Sequence, residues 1–338
     1  MSKQFRKALV VAAVMGVAAS GVSGTASAYV YGFAHLVANS FTITPNPGTS
    51  LGTASQITFT FTENNTVTVG GVGTVTTTAA CFGSAVPGSS TCGAGPVLDA
   101  SPAQIGISLG NNVFTQQPRV GTFERADMVL NTAQLVTGTP SSFETVKEGN
   151  LSTNTIAQGS STLQSNTTLQ ISFTTTGGGL TVNFLADPFL EAAISEAFCT
   201  ICLSQANVGA TFTLTNNATG GSINWAPNGF VVAGDCSVSI PGAACAELND
   251  GGAFNVSLNH TTGIGSNGDV IYDPSGVVLA PYTISISGLP AGAYSLTLAA
   301  TASNNLVRQA VPEPLSLALV GIGLLGMGVN LRRRGNHA

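Results

Sequence analysis

The stretch QITFTFTE, residues 56–63, places Ile57, Phe59 and Phe61 on one side of an extended chain and Thr58, Thr60 and Thr62 on the other. Side chains alternate across a strand, so this period of two reads as a sheet with one face in a core and one face toward water. Threonine suits the wet face because its β-branched side chain packs well on a pleated surface. The same alternation returns in TLQISFTTT (168–176), LTVNFLAD (180–187), ATFTLTN (210–216), AFNVSLNH (253–260) and YTISISGLPAGAYSLTLAA (282–300). Many short alternating runs, separated by turns rich in Gly, Pro and Asn, predict a mainly β protein: an antiparallel sandwich or a jelly-roll-like body. Residues 288–292 read as the turn of a hairpin. TTTGGG at 174–179 fits a strand turn or a linker, so one or two β subdomains are both compatible with the pattern. One short helix is predicted from Asp187 to Phe198. Asp187 would cap it, Pro188 would fill its first turn, and Phe189, Ala193, Ile194, Ala197 and Phe198 share one face, with Glu191 near the positive end.

The composition fits an exported β protein better than a cytosolic enzyme. Charged residues are 7% of the 338, against about 25% in an average soluble domain, and hydrophobic residues are 43%. Between residues 29 and 312 only Arg119, Arg125, Lys147 and Arg308 are basic, against fourteen acids, a balance of −10. Phosphate neutralisation needs clustered Lys or Arg, so no nucleic-acid partner is expected.

The two ends carry addresses. Residues 1–28 have a basic start (Lys3, Arg6, Lys7), an apolar run and the small-residue pattern Ala26-Ser27-Ala28, which reads as a signal peptide cleaved after Ala28. At the other end, residues 315–331 hold no charge and as a helix would reach about 26 Å, nearly the thickness of a hydrocarbon layer. Arg332, Arg333 and Arg334 follow and would stay on the cytoplasmic side, leaving the 29–310 body outside. Gly321, Gly323, Gly326 and Gly328 weaken the helix as a permanent anchor, at about 1 kcal/mol each relative to Ala.

Pro312-Glu313-Pro314, the apolar segment and the terminal arginines together resemble the PEP-CTERM sorting signal of Gram-negative, exopolysaccharide-forming bacteria, over residues 311–338. That resemblance implies recognition and removal by a membrane-embedded exosortase, a transient stay in the inner membrane, and release to the cell surface or extracellular matrix. Physically, the two prolines hold the preceding chain extended and accessible outside the bilayer. Leu315 departs from the family pattern, in which Ser or Thr commonly follows the motif. The segment AYVYGFAHLVANSFTITP, residues 28–45, is similar to the opening of an exosortase-dependent abundant surface protein family, which implies an exported product without a catalytic residue.

Six cysteines, Cys81, Cys92, Cys199, Cys202, Cys236 and Cys245, all lie in the exported part. Six allow fifteen connectivities, of which three sequence-local pairs are the simplest. Cys199-Thr-Ile-Cys202 would follow the predicted helix rather than precede it, which disfavours a reactive thiolate, and no second ligand pair completes a zinc site. Gly48-Thr-Ser50-Leu-Gly52 has hydrolase-elbow spacing, but a loop precedes it and a strand follows. His35 and His260 are the only histidines of the body, and Asp250, Asp269 and Asp273 lie in turn-rich segments without EF-hand spacing. No motif calls for a metal or cofactor. The sequence therefore predicts a non-enzymatic, exopolysaccharide-associated surface protein processed by signal peptidase and an exosortase. The alternative is a carbohydrate-binding module or adhesin, for which Trp225 would be the stacking platform.

Overall fold

The structure, a computed structural model, describes residues 29–310 except 54, 85–96, 100–101, 111, 132–140, 153–157, 196–198, 232–235, 263–267, 275 and 277–278. The strands are β1 (Tyr29–Pro45), β2 (Thr58–Val69), β3 (Gly73–Ser84), β4 (Val97–Asp99), β5 (Ala103–Ile105), β6 (Phe123–Asn131), β7 (Ser141–Ser152), β8 (Gln158–Thr175) and β9 (Gly178–Ile194). They continue as β10 (Cys199–Asn216), β11 (Ser222–Trp225), β12 (Cys236–Val238), β13 (Ala244–Asn249), β14 (Val256–Thr262), β15 (Gly268–Tyr272), β16 (Ala280–Leu289) and β17 (Gly292–Ala310). One sheet runs β13-β16-β9-β1-β7-β6-β4, with β15 against β9 and β5 against β6. The second runs β12-β11-β10-β17-β8-β2-β3, with β14 against β10. Every pairing in both sheets is antiparallel.

The sheets pack face to face. Ala34, Leu36, Phe184 and Ile284 from the first meet Phe59, Phe61, Phe212 and Leu296 from the second in one large core. Phe184 stands at its centre, with ring centroids 5.1 Å from Phe212 and from Tyr282 and 5.9 Å from Phe41, Trp225 and Phe254. The alternation of QITFTFTE is realised as read: Ile57, Phe59 and Phe61 are buried, and Thr58, Thr60 and Thr62 are exposed.

Two local expectations fail. The segment from Asp187 to Ile194 is not helical but completes β9, and Ala197 and Phe198 lie outside the described residues. Period-two burial runs through it, with Ala186, Pro188 and Leu190 inward, and β9 pairs with β1 from Leu180 to Ile194. The proline is tolerated because pairing on the other flank stops at Ala186, against β16, and resumes at Leu190, against β15. A missing N–H is least costly at such an interruption. The helical reading lost because Phe189, Ala193 and Ile194 also fit a strand buried on both faces, where periodicity does not separate the two.

The turn at 288–292 is likewise no hairpin. β16 pairs with β9 and β13 in one sheet, and β17 with β10 and β8 in the other, so Pro290-Ala291 carries the chain across the sandwich. The glycines at 174–179 serve a similar corner between β8 and β9. Gly178 adopts φ 112°, and a Cβ there would run into Thr49 Oγ1.

Candidate functional site

Adjacent residues on a strand point to opposite faces, so Glu124-Arg125 on β6 and Lys147-Glu148 on β7 divide their charges between the interior and the outer face. All four are at most 1% exposed. Two buried polar clusters result, one on each side of the first sheet.

On the outer face, residues 112–122, leading into β6, cross the sheet as a strap. Phe114 packs on Tyr31, Phe33, Val146 and Ala193. The strap's backbone is met by side chains that the register sets in rows: Glu191, Phe33, Glu148 and Arg125 lie side by side across β9, β1, β7 and β6. Arg125 Nε donates to Glu148 Oε2 at 2.6 Å, and its two Nη atoms donate to the carbonyls of Val113 and Thr115. Glu148 Oε1 accepts from Gln117 N at 2.7 Å and from Tyr31 OH at 2.8 Å. Asp127 accepts from Val113 N at 3.2 Å. Arg119, on the strap, lies 4.3 Å over the Tyr31 ring, donates to Tyr29 OH at 2.9 Å and pairs with Glu191. Gln116 Nε2 donates to the other oxygen of Glu191 at 2.7 Å.

Burial governs the electrostatics of this face. Desolvation raises the Asp127 carboxyl, against the pull of the Val113 and Met128 N–H groups. Desolvation also raises the Glu148 carboxyl, against Arg125 and the Gln117 N–H, and pushes the Tyr31 phenol well above its ordinary range. Between the ordinary carboxylate value and these raised values, the folded protein holds protons that the unfolded chain has released. This contribution to stability is full below the ordinary carboxylate range and is lost as pH rises through the raised values. The urea midpoint is therefore expected to be higher near about pH 5 than near about pH 7, with a slope of up to about 1.4 kcal/mol per pH unit for each proton. Asp127→Asn should flatten that slope; an unchanged slope in the variant would refute the assignment.

On the inner face, Lys147 from β7 reaches across the sandwich to β2. Its Nζ donates to Asn65 Oδ1 at 2.7 Å, and Asn65 Nδ2 donates to Glu63 Oε1. Lys147 is 0%, Asn65 1% and Glu63 3% exposed. Burial presses the Lys147 ammonium down to about 7; Glu63 and Asp127 oppose the shift, and Arg125 reinforces it. Beside this cluster Asn304 of β17 donates to the carbonyls of Gly32 (3.0 Å) and Lys147 (2.9 Å), and so ties the second sheet to β1 and β7. Arg308, at 2% exposed, completes the set of basic residues. Three of the body's four bases are thus inside the protein and the fourth holds the strap.

The residues singled out from sequence fall elsewhere. Cys236 and Cys245 form a disulfide with Cα atoms 6.4 Å apart, bridging β12 and β13 of opposite sheets. Cys202 is also disulfide-bonded, at the inner face of β10. The side chains of Cys81 and Cys199, and all of Cys92, lie outside the described residues, as do Ala26, Ala28, Pro312, Glu313, Pro314, Arg332, Arg333, Arg334 and the 315–331 segment. Trp225 is no stacking platform: it is 1% exposed, packs on Phe212 at 5.0 Å and donates its Nε1–H to Glu247 at 2.6 Å. His35 Nε2 lies 2.8 Å from Glu144 Oε1 on the outer face of the first sheet. Ser50 instead meets Thr176, beyond the far end of β1, some 30 Å of extended strand from His35. His260 is on β14, opposite Ser204 of β10. Asp250 receives N–H groups from Asn228, Gly229 and Gly252, as a turn-forming Asp does, and Asp269 lies 3.5 Å from Arg119. Among the described residues no group of three or more His, Cys, Asp or Glu is placed to hold a metal ion.

The buried cluster of Glu63, Asn65 and Lys147 is absent from that sequence reading, yet a signal for it exists. In a chain so poor in charge, two adjacent charged pairs on strands of a two-layer protein force one member of each toward the interior.

Comparison with protein-family models and with curated proteins finds no match. Among solved structures, a chain titled "Structure of infectious bursal disease virus Gt strain" aligns at 11% identity over 90% of this chain and 74% of that one, with a TM-score of 0.09, too low to bear on fold or function.

Proposed function

We propose that the chain is an exported structural protein of a cell surface or exopolysaccharide matrix, delivered through signal peptidase and then released by an exosortase. The observation that carries this reading is the order of three elements at the C-terminus: Pro312-Glu313-Pro314, the uncharged 315–331 run, and Arg332 to Arg334. Two features of the body support it. The first strand begins at Tyr29 and the last ends at Ala310, and both ends lie at one end of the sandwich, where Val30 packs with Leu306 and Cys202. Tyr29 and Ala310, the residues next to the two proposed processing signals, therefore share one pole of the body, an arrangement that suits release from a membrane on that side. The outer face of the second sheet is also uncharged in its central rows. Thr62, Thr168, Ala299 and Thr211 form one row and Thr60, Gln170, Thr297 and Thr213 the next. Such a hydroxyl- and amide-rich face suits contact with hydrated polysaccharide, which offers the same groups.

The test is processing. In a host with its exosortase, the chain is expected outside the cell without its tail; in a strain lacking the enzyme, it should stay at the inner membrane with residues 311–338 intact. Replacing Pro312 and Pro314 by alanine should block processing while the sandwich folds, since the last strand ends at Ala310. Normal processing of that variant, or retention of the tail in both strains, would overturn the assignment.

A further inference from the structure

The inner cluster has the parts of a self-contained acyl-transfer site. An amine and a carboxamide reach toward each other from opposite sheets, the Lys147 Nζ at 2.7 Å from Asn65 Oδ1. With a C=O length of about 1.2 Å, Nζ is then at most about 4 Å from the Asn65 Cγ, close to the separation of reacting atoms in a near-attack arrangement. The carboxylate of Glu63 is hydrogen-bonded to the amide nitrogen that would leave.

We propose that in the folded protein Lys147 and Asn65 become joined by an intramolecular isopeptide bond, with Glu63 as the catalytic acid–base. Transfer of one proton from the Lys147 ammonium to Glu63 changes no net charge and produces both a free amine and a carboxylic acid. The amine lone pair attacks Asn65 Cγ, forming the C–N bond and placing the carbonyl electrons on oxygen. Glu63 gives its proton to the amide nitrogen and takes one from the attacking nitrogen. The carbonyl re-forms, the bond from Cγ to Nδ2 breaks and ammonia leaves. The lysine and asparagine side chains yield one secondary amide and one NH3; nothing is oxidised or reduced, and no co-reactant is consumed.

Burial serves each part of this step. It holds the lysine near its neutral form at about 7, which an exposed lysine would not approach. It excludes the water that would compete as nucleophile. The strands fix both partners, so the entropy of bringing them together has been met by folding, an advantage that in well-oriented intramolecular reactions reaches effective molarities of about 10⁵–10⁸ M. The product would tie β7 of one sheet to β2 of the other with a covalent bond that reduction does not break.

The experiment is an intact mass of the folded protein, referred to the termini found on the same sample, followed by non-tryptic digestion and fragmentation. The chain is expected to be lighter than its disulfide-bonded sequence by one ammonia, about 17 Da. The peptide containing Asn65 should be recovered linked to the one containing Lys147, and trypsin should not cut after Lys147. Glu63→Gln and Lys147→Arg should each restore the missing mass. A succinimide at Asn65 loses ammonia too, but it stays within one peptide and survives in Lys147→Arg; that outcome, or an unmodified wild-type mass, overturns the proposal. Should Lys147→Arg fail to fold, the linked or unlinked peptides of the wild-type chain decide the question alone.

Discussion

Phe184→Ala is expected to lower the unfolding free energy by about 3–5 kcal/mol, the range for removing a fully buried aromatic ring. The ring is 2% exposed and lies within 6 Å of five other aromatic rings contributed by both sheets. Four of those neighbours sit on four different strands and the fifth, Phe254, on the segment before β14, so they cannot close in on the space together, and the cavity term adds to the lost transfer energy. Urea unfolding followed by tryptophan fluorescence checks this directly, because Trp225 is 5.9 Å from the missing ring. Phe184→Leu, which retains most of the volume, should recover more than half of the loss. A loss below about 1 kcal/mol for the alanine variant would mean that the two sheets do not share this core.

Arg125→Ala should be comparably severe, about 3–5 kcal/mol, for a different reason. The arginine's own solvation is not what is lost. The change leaves Glu148, 0% exposed, without its ion pair, and releases the Val113 and Thr115 carbonyls that Arg125 binds. Arg125→Lys should not rescue it, since one ammonium cannot serve a carboxylate and two carbonyls in the fixed fork that a guanidinium presents. Adding Glu148→Gln to Arg125→Ala should recover part of the stability, as removing a buried charge is milder than stranding it. The local sign is early protease cleavage in the 112–122 strap, read by limited proteolysis. Equal cleavage of wild type and variant would show that the strap is held by something other than this row of charges.

The fold class was legible because it rests on local period two, and Phe59, Phe61, Ile171, Val182, Phe212 and Ile284 all point where alternation says they should. Turn chemistry was less informative. The Gly-Leu-Pro-Ala-Gly connection looks the same whether its strands pair or stack, since that choice is made by β9 and β10 far away in the chain. The mistaken helix at Asp187 has the same origin: Pro188 is acceptable in β9 only because β15 and β16 divide its free flank between them, a non-local fact. The buried cluster was half legible. Lys147-Glu148 and Glu124-Arg125 announce inward charges, but that Lys147 faces Asn65 is decided by how two sheets stack, and 82 positions separate those residues in the chain.

The central functional claim is that the ends of the chain are processing signals around a sandwich that runs from Tyr29 to Ala310. The most direct measurement is the terminal sequence and mass of the protein recovered from outside the cell. The account predicts a chain that begins at Tyr29 and lacks the apolar segment and Arg332 to Arg334. An extracellular chain that still carries residues 315–334 would contradict it.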